Sequence, residues 1–281
     1  MTGKLYVCGT PIGNLSDLSD RQKETLESAD LIAAEDTRNS RKILNHLDIK
    51  TPMTSYHEHN RAEKGSRLID KLKEGMNIAL VSDAGMPGIS DPGQELIAEC
   101  HREGIPVTVV PGPAALITAL VLSGFPSDRF AYEGFLPAEK KERAAVLKEL
   151  SERTVTTVIY EAPHRLLKTV KELYDALGDR RAAFCKELTK VHEDCSIMTL
   201  EEALKYYEEE PPRGEYVIVL GGADPEALKK KETDKWTAMS VEEHMEYYLS
   251  AGDDRTMAMK KVAKDRGITK RDVYRELLPD E

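Results

Sequence analysis

Three glycine- and proline-rich stretches, 9–15, 82–93 and 111–115, each follow directly on an apolar run. Glycine lets a backbone approach a ligand closely, and proline holds a loop in one shape. Ordinary turns use the same residues. Three such loops at successive strand ends favour a binding cleft, because ligands of open α/β sheets lie beyond that edge. None is a phosphate cradle: the first reads G-x-P-x-G rather than G-x-G-x-x-G, and no G-x-x-x-x-G-K-[ST] occurs. Asp83, a carboxylate opening the second loop, suits a cationic or hydroxyl-bearing ligand better than a pyrophosphate. The loops therefore point to a small cofactor other than a nucleoside triphosphate.

A second set of polar residues lies outside these loops. Glu35 and Asp36 end an apolar run, where consecutive carboxylates are costly unless satisfied. They are candidates for chemistry, and Asp36 or Thr37 is equally a candidate helix cap. Arg38 can bind a phosphate or pair with either carboxylate. His57 and His59 are two apart, too close for the helical metal pair at i and i+4, so no metal site is expected. They read as a solvated loop or, with Asn60, as a substrate contact. His164 and Arg165 follow Pro163 at a helix start, where backbone N–H groups face an anion. Lys186, Glu187 and Lys190 follow another strand end, as a solvated charged face or as part of a cleft.

The elements that must position these residues alternate as in an α/β fold. Strands are expected at Leu5–Cys8, Leu31–Ala34, Ile78–Val81 and Val107–Val110. Helices are expected at Asp20–Ser28, 39–47, 62–73 and 93–103, with Asp20 and Ser40 as N-caps and Gly75 and Gly104 as stops. Strands this apolar belong in a sheet covered on both faces. Further on, strands are expected at 130–133, 155–160, 182–186, 195–198 and Tyr216–Leu220. Helices fit 139–152, 164–177 and 200–207. Two of those strands follow each other without a helix, which predicts a mixed sheet. The organisation expected is two α/β domains, 1–120 and 121–222, a lysine-rich linker, 223–235, and a small helical domain, 236–281.

Composition limits the partners. Fifty acidic against 40 basic residues exclude a uniformly basic nucleic-acid coat. Residues 255–281 alone carry a net +3, leaving −13 on the remainder. Helix, Gly267-Ile268-Thr269, helix with small and apolar inner positions is the pattern of a helix-turn-helix, or of a small packing or dimerisation unit. The longest uncharged run, 105–127, is broken by four prolines and reads as strand, turn and helix, so no membrane span is expected. Cys8, Cys100, Cys185 and Cys195 have no regular spacing and read as reduced, buried thiols of a cytoplasmic protein.

The three loops, in order and spacing, resemble the tetrapyrrole methylase superfamily, S-adenosylmethionine enzymes with two α/β domains and a cleft between them. Residues 31–38, 56–60, 82–93, 160–165 and 186–190 resemble the branch that methylates a cytidine 2′-hydroxyl in small-subunit (16S) ribosomal RNA. This covers 4–222 and extends into the tail. It implies that Pro11, Asp83, Gly85 and Met86 approach the methionine part of S-adenosylmethionine and that Ala114 and Ala115 line its pocket. Glu161 and Glu215 would border the adenosine, chiefly through backbone groups. Glu35, Asp36 and Lys186 are the candidates for the chemistry. Arg38, His57, Asn60, His164, Arg165 and Lys190 are the candidates for the RNA cleft. The resemblance further implies a cytoplasmic homodimer acting on ribosomal RNA, with the assembled 30S subunit and free RNA both open as substrate. Two alternatives remain at this point: a precorrin-type tetrapyrrole methyltransferase, and a non-catalytic, ligand-sensing DNA-binding regulator.

Overall fold

The computed structural model describes residues 2–278, so the expected domain ends at 1 and 279–281 lie outside the described residues. The chain divides into two compact units. The first comprises 1–147 and 156–221, and the second 148–155 and 222–281. Both expected α/β halves thus fall within the first unit, except for 148–155 and 222, which group with the second.

The first unit opens with β1 (Leu5–Cys8), α1 (Asp20–Ser28), β2 (Leu31–Ala34), α2 (Thr37–His46), β3 (Met53–Ser55) and α3 (Arg61–Lys73). It continues with β4 (Ile78–Val81), α4 (Gly93–Arg102), β5 (Val107–Val110) and α5 (Ala115–Ser123). The five strands form a parallel sheet, order β3-β2-β4-β1-β5. Its two faces are covered by separate cores, one around Leu68, Leu72, Leu80 and Leu96, the other around Leu26, Ile32, Leu44 and Val81. That two-sided burial explains the unbroken apolar runs of the central strands. The short strand β3, half-buried at one edge, carries too little apolar signal to be expected from sequence.

A second sheet follows: β6 (Phe130–Phe135), α6 (Lys140–Glu152), β7 (Thr156–Glu161), α7 (Pro163–Leu177), β8 (Arg181–Lys186), β9 (Asp194–Thr199), α8 (Leu200–Glu209) and β10 (Tyr216–Leu220). Its order is β6-β7-β10-β8-β9. Only β6 and β7 pair in parallel; β10 runs antiparallel to both its neighbours, and β8 to β9. The mixed sheet is as expected.

The second unit is helical: α9 (Pro225–Thr237), α10 (Val241–Ser250), α11 (Arg255–Arg266) and α12 (Lys270–Glu276). The expected linker at 223–235 is therefore corrected. Asp224 caps α9 by accepting from the Glu226 N–H, Pro225 occupies its first turn, and lysines propagate a helix well. Trp236 at its end stacks on His244, ring centroids 4.1 Å apart. Val241, Met245, Ala258, Val262 and Val273 form the core. Gly267 ends α11 in the left-handed conformation that disfavours a side chain, and Thr269 caps α12 with a reciprocal bond to Asp272. The expected caps Asp20 and Ser40 are also corrected, to Ser19 and Asp36. Ser19 forms a capping box with Gln22, while Ser40 is buried inside α2. Among the described residues no helix is long and apolar enough to cross a membrane.

Candidate active site

The three glycine-rich loops meet at the carboxyl edge of the parallel sheet. Thr10 and Gly85 form an antiparallel bridge, joining the first loop to the second beside buried Pro11. The Gly112 N–H points at Met86 Sδ, 3.2 Å away, joining the second to the third. A Cβ on Gly9 would lie 2.7 Å from Gly112 Cα, so the first and third loops touch backbone to backbone. Gln22 secures this contact from α1 by donating to the Gly9 carbonyl at 2.7 Å. Gly85 sits at φ +82°, a region open to glycine at no steric cost. Ala114 and Ala115 form the entry to α5, and the Leu116 N–H just inside it donates to Tyr160 Oη at 3.1 Å.

The carboxylates collect at the ends of β2 and β4. Asp83 accepts from the Asp36 N–H at 3.0 Å and from Asn39 Nδ2 at 3.1 Å. Its own N–H donates to Glu35 Oε2 at 3.3 Å. Burial raises the pKa of Glu35 above its ordinary value. The Asp83 N–H opposes this, the charges of Asp83 and Asp91 add to it, and His57 opposes it. Asp36 behaves oppositely: the Arg38 guanidinium and N–H hold it down at about 2. It caps α2 and pairs with Arg38 at 2.7 Å, so the helix-cap reading is realised on Asp36. Asp91 accepts from the Gly88 and Gly93 N–H groups and shapes the second loop. Asn60 donates to the Ser55 carbonyl and lies 3.1 Å from His57 Nε2, bracing the turn after β3.

The charges of the mixed sheet are arranged differently. Lys186 pairs with Asp194 at 3.8 Å. Lys190 pairs with Glu187 at 3.1 Å and Glu215 at 3.6 Å, and its alkyl chain lies against Gly13 of the first loop. Glu161 is buried, accepting from Thr169 Oγ1 and the Ala162 N–H, with Arg165 at 3.3 Å. Arg165 also donates to the Leu136 carbonyl, while His164 is exposed in the first turn of α7. Glu35, Asp36, Arg38 and Asp83 are thus brought together, whereas Lys186 belongs to a separate ion pair on the other sheet.

Gln22, Asn39 and Tyr132 escaped the sequence reading as site residues, and Ser90 and Tyr160 entered it only as members of the 82–93 and 160–165 motifs. Ser90 of the second loop shares a 2.7 Å hydrogen bond with Tyr132 Oη, and the Tyr132 and Tyr160 rings pack edge to face. These contacts join loops of the first sheet to strands of the second.

A glycine-lined floor with a carboxylate at its rim and no lysine-bearing phosphate loop fits a small cationic cofactor. This floor lies on a parallel sheet whose second loop contacts a strand of the mixed one. The chain belongs to the tetrapyrrole methylase family, whose model "Tetrapyrrole (Corrin/Porphyrin) Methylases" matches residues 4–204. Over 272 residues it is 47% identical to "Ribosomal RNA small subunit methyltransferase I" of Halalkalibacterium halodurans, covering 97% of this chain and 93% of that protein. The Bacillus subtilis protein of that name is 44% identical over the same shares. The one from Thermotoga maritima is 45% identical over 222 residues, 79% of this chain but 100% of that protein. Among solved structures, diphthine synthase superposes with TM-score 0.63 at 17% identity, covering 78% of this chain and 90% of that one. Uroporphyrin-III-C-methyltransferase from Thermus thermophilus superposes with TM-score 0.55 at 21% identity, covering 77% and 94%. At those identities the structures speak to the fold alone.

Proposed function

We propose that this chain transfers a methyl group from S-adenosylmethionine to the ribose 2′-hydroxyl of a cytidine in small-subunit ribosomal RNA. The observation that carries the reading is the near full-length likeness to enzymes named for methylating that RNA. S-adenosylmethionine supplies an electrophilic methyl group for in-line displacement. The chain's own task is to position the hydroxyl and manage its proton. Pro11, Gly85, Met86, Ala114 and Ala115 would hold the cofactor, with Asp83 at its cationic end. Glu215 and the backbone at Glu161 would border its adenosine.

Glu35 suits the proton-accepting role best. Its raised pKa makes it a stronger base than an ordinary glutamate, and it accepts one long hydrogen bond. Asp36 is committed to Arg38 and the helix cap, so it positions rather than reacts. His57, Asn60, Arg38, His164, Arg165, Lys186 and Lys190 would frame the RNA. Exposed Lys260, Lys264, Lys270 and Arg271 on α11 and α12 support the helical unit as an RNA handle. Ile117, Val121 and Leu122, exposed on α5, support assembly as a homodimer. The reading places the protein in the cytoplasm, acting on the assembled 30S subunit.

The test supplies labelled S-adenosylmethionine to the purified protein with unmethylated small subunits and locates the label by nucleoside analysis. Label in 2′-O-methylcytidine is expected; cofactor binding without RNA label would overturn the substrate. Deleting residues 236–281 should spare cofactor binding and impair RNA methylation. Full methylation by the truncated chain would remove the handle.

A further inference from the structure

We infer that Cys185 and Cys195 form an oxidation site, a thiol pair that a peroxide converts into a cross-strand disulfide. The two residues lie directly opposite each other on antiparallel β8 and β9, so their side chains share one face of the sheet. Their sulfurs are 3.0 Å apart. A disulfide needs about 2.05 Å between sulfurs, so closure asks for a shift of about 1 Å. Among the described residues β9 is an edge strand, with no strand on its far side to resist that shift. Cys195 is half-buried at the margin of the core and is the more exposed of the two, whereas Cys185 is buried against the Ala119 carbonyl. Cys8 and Cys100 are buried in the two separate cores of the parallel sheet.

Cys195 Sγ attacks one oxygen of hydrogen peroxide. The O–O bond breaks, and hydroxide leaves with the thiol proton as water, giving a sulfenic acid. Cys185 Sγ then attacks that sulfur; the S–S bond forms, the S–O bond breaks, and the second thiol proton departs in a second water. Two thiols and one peroxide become one disulfide and two waters. The bond would fix the base of segment 187–193. That segment holds two non-glycine residues in the left-handed region, Glu187 (φ +50°) and Thr189 (φ +65°), and carries Lys190 to Gly13. Oxidation would therefore act on the contact between the mixed sheet and the first cofactor loop.

The test treats the full chain with hydrogen peroxide, quenches in acid, alkylates under denaturing conditions and maps the peptides by mass spectrometry. Alkylatable thiols should fall from four to two. The missing pair should appear as one Cys185–Cys195 linkage that dithiothreitol reverses. In Cys195→Ser the remaining three thiols should all stay alkylatable under the same exposure. Linkages through Cys8 or Cys100, links between chains, Cys195 oxidised beyond sulfenic acid with Cys185 still free, or no loss of thiols would each overturn the assignment.

Discussion

The two sheets of the first unit both present charged residues at their strand ends but dispose of them in opposite ways. At the parallel sheet, Asp83 draws in the Asp36 N–H and Asn39, and Glu35 is left with a single long hydrogen bond and a raised pKa. At the mixed sheet every charge singled out, save exposed His164 on α7, has an opposite partner: Lys186 with Asp194, Lys190 with Glu187 and Glu215, Arg165 with Glu161. Burial alone would raise Glu187, yet Lys190 and the Glu215 N–H bring it below its ordinary value. A carboxylate poised for proton transfer must be under-satisfied, whereas one that holds a frame must not be. On the proposed function, the chemistry would fall to the first sheet and the framing to the second.

The sharpest way to break that contrast is Glu35→Gln. Methyl transfer should fall by about 10²–10⁴-fold in single-turnover assays, with cofactor affinity unchanged. Its pH profile gives the sign. The base must be ionised, and the raised pKa means that falling pH protonates Glu35 before an ordinary glutamate. Wild-type activity should therefore decline from a higher pH, and the variant should lose that limb. A retained limb would move the base elsewhere.

Asp83→Ala comes next. Hydrogen bonds to a charged acceptor are worth about 1.5–3 kcal/mol, so cofactor affinity measured by calorimetry should weaken by about 10–100-fold. Unchanged affinity would put the cofactor away from this edge. Lys190→Ala should cost less, because half-exposed ion pairs contribute about 1 kcal/mol or less. A rise in the KM for RNA of up to about fivefold is expected, with kcat preserved; a collapse of kcat would erase the division between sheets. The smallest effect is on melting. Glutamine removes a desolvated charge, so Glu35→Gln should melt at or slightly above the wild type at pH 7. The difference should narrow as falling pH protonates the native Glu35.

The parallel sheet was legible because its signals are local: apolar runs, glycine and proline at each strand end, and Gly75 and Gly104 closing helices. The three loops and Asp83 lie where the spacing put them. What escaped is decided at long range. Gln22 carries no sign that it will reach Gly9, nor Tyr132 that it will meet Ser90, because each partner is supplied by the fold. Glu161 and Arg165 look free in sequence because their partners Thr169 and Leu136 come from other turns and elements. The lysines of 229–231 read as linker by charge, although their helix propensity and the Asp-Pro start at 224–225 make a helix.

The backbone contact between Gly9 and Gly112 limits how the site can be re-engineered. Where two loops meet with no side chain between them, no substitution enlarges the space and any addition collides. A library seeking acceptance of sulfonium analogues with bulkier transferable groups should hold positions 9 and 112 fixed. Diversity belongs at Ile12 and Met86, whose side chains border the same floor and can be shortened.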